Sequence, residues 1–256
     1  MKESLTVVKV GGKIVETESS LQELLNRFAR ISGPKVLVHG GGRTATDLAT
    51  RMGIETQMID GRRITDADML AIVTMVYGGL VNKRVVAALQ SRGMNALGLT
   101  GADMNVIRAH RRPPCPVDFG YVGDVDRVDA DALRHLISRG VTPVMAPLTH
   151  DGQGNLLNTN ADTIAGETAK ALAPYYDVTL VFCFEHAGVL RTPHDEESVI
   201  PHIDAAAFEA LKADGTLTGG MIPKVHNSLQ AVAAGVGRVV ITRADRLGDP
   251  GGTLIS

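Results

Sequence analysis

Tryptophan is absent from this 256-residue sequence, aromatic residues make up 4%, and there are two cysteines. Cys115 and Cys183 lie far apart and show no metal-like spacing with histidine, which argues against a disulfide framework and against a zinc site. The eight histidines include no H-x-x-x-H pair. No apolar run approaches the roughly 18 residues of a membrane span, and Met1-Lys2-Glu3 leads straight into a strand with no signal-peptide region. The expectation is a cytoplasmic protein with no membrane partner. Charge of one sign is also missing. The formal net charge is −2, and basic residues adjoin only in the isolated pairs Arg62-Arg63, Lys83-Arg84 and Arg111-Arg112, so nucleic acid is not an expected partner. Neither G-x-x-x-x-G-K-[ST] nor G-x-G-x-x-G opening a helix occurs, which excludes a P-loop and a dinucleotide fingerprint.

Glycine is plentiful, with 28 residues. Four turns follow or adjoin short β-branched runs: Val7-Val8-Lys9-Val10-Gly11-Gly12, Val36-Leu37-Val38-His39-Gly40-Gly41-Gly42, Leu157-Asn158-Thr159-Asn160-Ala161-Asp162 and Thr218-Gly219-Gly220-Met221-Ile222-Pro223-Lys224. A strand that stops at paired glycines can turn tightly and bring N–H groups close to an anion. Lys9 and Lys224 add point charges beside such turns, and Asp162 is placed to hold both. Positioning and charge neutralisation are most of what phosphoryl transfer requires.

Strand-like runs alternate with helix-period segments, the pattern of an α/β protein with a largely parallel sheet. Residues 5–10 and 36–38 read as strands, and residues 20–31, with apolar Leu21, Leu24, Leu25, Phe28 and Ala29, as one face of a helix. Residues 66–90 read as a long helix or a broken pair, with Asp66 as N-cap and Gly78-Gly79 as a possible break. Residues 160–173, 205–213 and 224–234 are expected helices. The fully apolar residues 178–184 are an expected central strand, with Cys183 a small buried hydrophobe. A boundary near Pro174 divides the chain into residues 1–174 and a smaller unit, 175–256.

Taken as a set, Val-Lys-Val-Gly-Gly-Lys at residues 8–13, His-Gly-Gly-Gly-Arg at 39–43, Gly-Arg-Arg-Ile-Thr at 61–65, Val81-Asn82-Lys83, Asn158-Thr-Asn-Ala-Asp162 and Gly219-Gly-Met-Ile-Pro-Lys224 resemble the amino acid kinase family in order and spacing. The likeness covers nearly the whole chain. It implies an open αβα sandwich whose N-terminal lobe, residues 1–174, holds an acylated amino acid and dimerises, while the C-terminal lobe, 175–256, holds ATP with Mg²⁺. The implied reaction moves the γ-phosphoryl of ATP onto the side-chain carboxylate of N-acetyl-L-glutamate, the second step of arginine biosynthesis. N-succinyl-L-glutamate, suggested by Tyr77 and Arg111-Arg112, and a non-catalytic amino-acid sensor are the alternatives.

At the matching positions the resemblance makes Lys9, Lys224 and Asp162 catalytic. Gly11, Gly12, Gly42 and Gly220 become phosphate-binding backbone, and Gly41, Gly42, Arg63 and Asn158 contacts for the acyl amino acid. Glu185 and Gly188, with Lys224, become nucleotide contacts, and Arg62 is left as a surface charge. A γ-carboxylate, with a reference pKa of about 4.3, is already ionised at neutral pH and needs no general base. Mg²⁺ is expected to arrive on ATP, with no dedicated protein metal cage. Arginine-inhibited members of the family carry an extra helix ahead of the first strand. Four residues precede that strand here, so the expectation is an arginine-insensitive homodimer with its interface on the helix at 66–90.

Overall fold

The computed structural model describes residues 2–59 and 61–256. Strand β1 (Ser4–Val10) starts a sheet whose side chains alternate between two helical layers. Leu5 and Val7 face one apolar cluster, and Val8 and Val10 face the other. The chain continues through α1 (Gly12–Glu16), α2 (Glu18–Arg30), β2 (Lys35–His39), α3 (Gly42–Arg51), β3 (Met58–Ile59), β4 (Arg62–Arg63), α4 (Ala67–Val73) and α5 (Asn82–Gln90). Next come β5 (Ala96–Leu99), β6 (Ile107–Arg111), β7 (Gly123–Val128), α6 (Ala130–Ser138), β8 (Thr142–Met145), β9 (Leu148–His150), β10 (Leu156–Asn158) and α7 (Ala161–Leu172). The remainder is β11 (Asp177–Phe184), β12 (His202–Ile203), α8 (Ala205–Ala213), α9 (Met221–Ala233), β13 (Arg238–Arg243) and β14 (Thr253–Ile255).

Eight strands form the central sheet in the order β12-β14-β13-β11-β1-β2-β8-β5. All its neighbouring pairs are parallel except β13–β14. Helices α1 to α5 cover one face through residues such as Ile14, Leu24, Phe28, Ala45, Ile72 and Leu89. Helices α6 to α9 cover the other through Leu133, Ile164, Leu172, Phe208 and Val225. This is the expected αβα sandwich, and the apolar 178–184 run lies inside β11, between β13 and β1. The sheet continues without interruption across residue 174.

Parallel strands place their C-terminal ends at one edge, so the turns after β1, β2 and β11 meet there. Two smaller sheets were not foreseen: the hairpin β3–β4 and the four-stranded β10-β9-β6-β7. Both supply cavity-lining residues. The helix at residues 67–90 is continuous. Asp66 caps it by accepting from the Met69 N–H at 2.8 Å, and around Gly78-Gly79 it widens into a π-helical stretch, Thr74–Val81, instead of breaking. By length and composition this helix could cross a membrane, but Met69, Ile72, Val73, Val76, Val85 and Leu89 are buried in the core.

Candidate active site

A cavity of about 430 Å³ opens at the strand C-termini, lined by the Gly40-Gly41-Gly42 turn, the β3–β4 hairpin, Asn158 to Thr163, and the first turn of α9 with Gly220 and Lys224. Lys9 does not itself line the cavity and meets it through Asp162, which does; strand alternation places it there. It shares the β1 face of Leu5 and Val7, the face against which α7 packs. Asn160 caps α7, its Oδ1 accepting from the N–H groups of Asp162 (2.7 Å) and Thr163 (3.3 Å). That cap holds Asp162 in the first helical turn, where a carboxylate also meets the positive end of the helix dipole.

Asp162 brings the two lysines together. Lys9 Nζ lies 2.8 Å from Asp162 Oδ1 and Lys224 Nζ lies 3.9 Å from Oδ2. Burial pushes the carboxyl up, but the charges of Lys9 and Lys224 outweigh it, and the group sits below the usual carboxylate range. For Lys224 burial is the largest influence and lowers its pKa; Lys9 acts in the same direction and Asp162 opposes both. The Lys224 ammonium also sits 4.3 Å from the centre of the Phe184 ring, at the end of β11.

The glycine turns nest against each other. A β-carbon on Gly40 would stand 3.2 Å from the Gly12 nitrogen, and one on Gly12 would stand 3.7 Å and 3.8 Å from the nitrogens of Gly42 and Gly41. Among the described residues no acceptor pairs with the amides of Gly12, Gly41 or Gly42. Gly12 and Gly42 begin α1 and α3, where N–H groups have no intrahelical partner. Gly11 departs from expectation. Its N–H donates to the Cys183 carbonyl at 3.0 Å, extending the β1–β11 ladder, and so is not free for an anion. Glu16, which the sequence did not single out, ties the turns together: its Oε1 accepts from the Thr44 N–H in the first turn of α3 at 2.9 Å.

Arg63 is 8% exposed. Its Nη2 donates to the Gly42 carbonyl and to Thr46 Oγ1, both at 2.8 Å, while Nη1 meets Thr56 Oγ1 at 3.3 Å and Met69 Sδ at 3.7 Å. Among the described residues it pairs with no carboxylate. Asn158 also lines the cavity, its Nδ2 donating to Thr65 Oγ1 at 2.9 Å. A β-carbon on Gly41 would meet the Tyr77 ring at 3.1 Å, so Tyr77 backs the turn directly. Arg62, read as a surface charge, lines the cavity from β4, as does Arg112. Arg112 donates to both oxygens of Asp124 (Nη2 to Oδ1 at 2.5 Å and Nε to Oδ2 at 3.1 Å), whereas Arg111 turns toward Asp118 and the Tyr121 ring.

Two expected nucleotide contacts lie outside this cavity. Glu185 borders a second cleft behind α1, with Lys13 Nζ 2.6 Å from its Oε2. Gly188 is a packing position, where a β-carbon would stand 2.7 Å from Thr253 Oγ1.

A sheet edge with nested glycine turns and two lysines on one partly buried acid is the arrangement of a phosphoryl-transfer fold. Residues 4–243 match the amino acid kinase family, and the chain belongs to that family. It is 66% identical over 255 residues to proteins of Bacteroides thetaiotaomicron and Bacteroides fragilis, each called acetylglutamate kinase. The alignments cover 100% of this chain and 99% and 98% of those relatives. Among solved structures, a Streptococcus mutans protein superposes with a TM-score of 0.82 at 28% identity, covering 98% of both chains. The Giardia lamblia carbamate kinase bound to AMP-PNP, at 16% identity, shares the fold with a TM-score of 0.73, covering 99% of this chain and 98% of its own.

Proposed function

We propose that this chain transfers the γ-phosphoryl group of ATP to the side-chain carboxylate of N-acetyl-L-glutamate, giving N-acetyl-L-glutamyl 5-phosphate in arginine biosynthesis. One observation carries the reading: a buried arginine with no carboxylate partner among the described residues lines the cavity that also holds the Asp162–Lys224 pair. Arg63 is then the seat of the α-carboxylate, since a guanidinium matches a carboxylate bidentately. Asn158 serves the acyl amide beside it. Carbamate has no α-carboxylate to offer Arg63.

In the reaction the substrate's γ-carboxylate attacks phosphorus, and ADP departs with the electrons of the breaking P–O bond. Lys9 and Lys224 neutralise oxygens of the moving phosphoryl from two sides, and Asp162 orients both without accepting a proton. The amides of Gly12, Gly41 and Gly42 donate to the same oxygens. A preorganised donor of this kind is worth about 3–4 kcal/mol. Asp162, the one acidic side chain that lines the cavity among the described residues, is occupied by lysines, so Mg²⁺ would be held by nucleotide phosphates and water and add charge neutralisation there. Residues 1–174 form the acyl-amino-acid lobe and residues 175–256 the nucleotide lobe.

N-succinyl-L-glutamate is not favoured. Arg111 points away from the cavity, and the charge of Arg112 is met by Asp124. Two lysines converging on one acid also exceed what a sensor needs for binding alone. Hydroxylamine trapping of acyl phosphate, with ATP and N-acetyl-L-glutamate, N-succinyl-L-glutamate, L-glutamate or carbamate as acceptor, tests the reading. The acetyl compound is expected to give the largest kcat/KM; no hydroxamate from any acyl-glutamate would refute it.

A further inference from the structure

His39 is a fully buried titratable group that touches none of the reacting atoms above. It ends β2, directly before Gly40, and both ring nitrogens have partners. Nδ1 lies 2.8 Å from the Gly40 carbonyl oxygen, and Nε2 lies 3.1 Å from Asn82 Nδ2. The position of the ring proton follows from these neighbours. Lys83 Nζ can only donate, and it sits 3.0 Å from one terminal atom of the Asn82 side chain, which must therefore be the oxygen. The amide nitrogen then faces the Val144 carbonyl at 2.9 Å and His39 Nε2, with one hydrogen for each. Nε2 must accept, so the proton is on Nδ1 and is donated to Gly40. Burial, reinforced by the Lys83 charge and opposed by the Gly40 bond, lowers the pKa of the imidazole to about 4 and keeps it neutral.

Gly40 is held at its other end as well. Its N–H donates to the Val10 carbonyl at 3.1 Å, and a β-carbon added to it would press on the Gly12 nitrogen at 3.2 Å. With the nitrogen and the carbonyl of this residue both fixed, the next two peptide groups leave in a set direction. We propose that His39, locked by Asn82 as the Nδ1–H tautomer, is a positioning residue that aims the Gly41 and Gly42 amides into the cavity. The kinetic consequence rests on the phosphoryl-transfer reading above.

Two substitutions separate the two ring nitrogens. His39→Asn places an amide donor near the place of Nδ1, and His39→Gln places one near that of Nε2. The expectation is a kcat within about threefold of wild type for His39→Asn and a fall of about 10- to 100-fold for His39→Gln, because small misplacements of catalytic donors are costly. KM for ATP should change by less than about threefold in both, with melting temperatures confirming folding. Equal losses in two folded variants, or full activity in folded His39→Gln, would overturn the proposal. Imidazole ¹⁵N shifts of the wild-type protein decide the matter even if neither variant folds. A protonated Nδ1 and bare Nε2 from pH 6 to 8 are expected, and the opposite tautomer overturns the proposal. The expected tautomer in a wild-type protein without kinase activity would count against the phosphoryl reading alone.

Discussion

Asn82 Oδ1 lies 1.8 Å from the point at which a β-carbon on Gly98 would stand. Asn82 cannot retreat freely, since it is buried and bonded to His39, Val144 and Lys83. Gly98→Ala on β5 is therefore expected to lower stability by about 1–3 kcal/mol, the usual cost of overpacking. Gly166→Ala within α7, where nothing lies within 4 Å of the added carbon, should instead stabilise by about 0.5–1 kcal/mol. Thermal denaturation of the two variants checks the pair. Equal melting temperatures would contradict the packing described.

Arg63→Ala removes the partner assigned to the α-carboxylate. Hydrogen bonds to charged groups are worth about 1.5–3 kcal/mol, so KM for N-acetyl-L-glutamate should rise by roughly 10- to 100-fold while KM for ATP stays nearly constant. Initial-rate kinetics with each substrate varied in turn make the comparison. An unchanged KM for the acyl amino acid would place its carboxylate elsewhere.

The lowered pKa of Lys224 has a pH consequence with a definite sign. The charged ammonium is the active form, and burial favours losing the proton, so the free enzyme should lose kcat/KM for ATP at a lower alkaline pH than an ordinary lysine would impose. Bound polyphosphate restores a negative neighbour and raises the pKa, so the alkaline limb of kcat should lie at higher pH than that of kcat/KM. Profiles of both parameters in wild type test this, and coincident limbs would contradict it.

Much of the fold was legible in the sequence, because periodicity reports burial. The apolar 178–184 run marked a strand covered on both faces, and β11 is such a strand. The helix expected at 205–213 is α8, and the structure shows Asp204 capping it by accepting from the Ala207 N–H at 2.8 Å. The small sheets were not legible. Residues 106–109 and 119–125 read as strand-like and overlap β6 and β7, but strands two to six residues long that pair across the chain, as Arg108 does with His150, carry no local sign of their partners. The same limit applied within the site. Glycine content located the turns, but only register shows that the Gly11 N–H belongs to Cys183, and only the hairpin carries Arg62 to the cavity.

Met75 and Leu80 are about half exposed on the π-helical stretch of the 67–90 helix. Exposed apolar side chains on a helix otherwise packed in the core suit a second copy of this chain, and a homodimer through that face is the assembly proposed here. Sedimentation should give a dimer for wild type and a monomer for the double substitution Met75→Glu, Leu80→Glu. A wild-type monomer would remove the proposal.

The central claim is that Lys9 and Lys224, held on Asp162, act on the phosphoryl group as it moves. Interactions made in the transition state appear in kcat, whereas equal binding of ground and transition states appears in KM. The most direct measurement is steady-state kinetics of Lys9→Ala and Lys224→Ala with saturating ATP and varied N-acetyl-L-glutamate. The account predicts kcat falling by about 100-fold or more in each variant, with KM for the acyl amino acid within a few-fold of wild type. A near-wild-type kcat in either variant would contradict it.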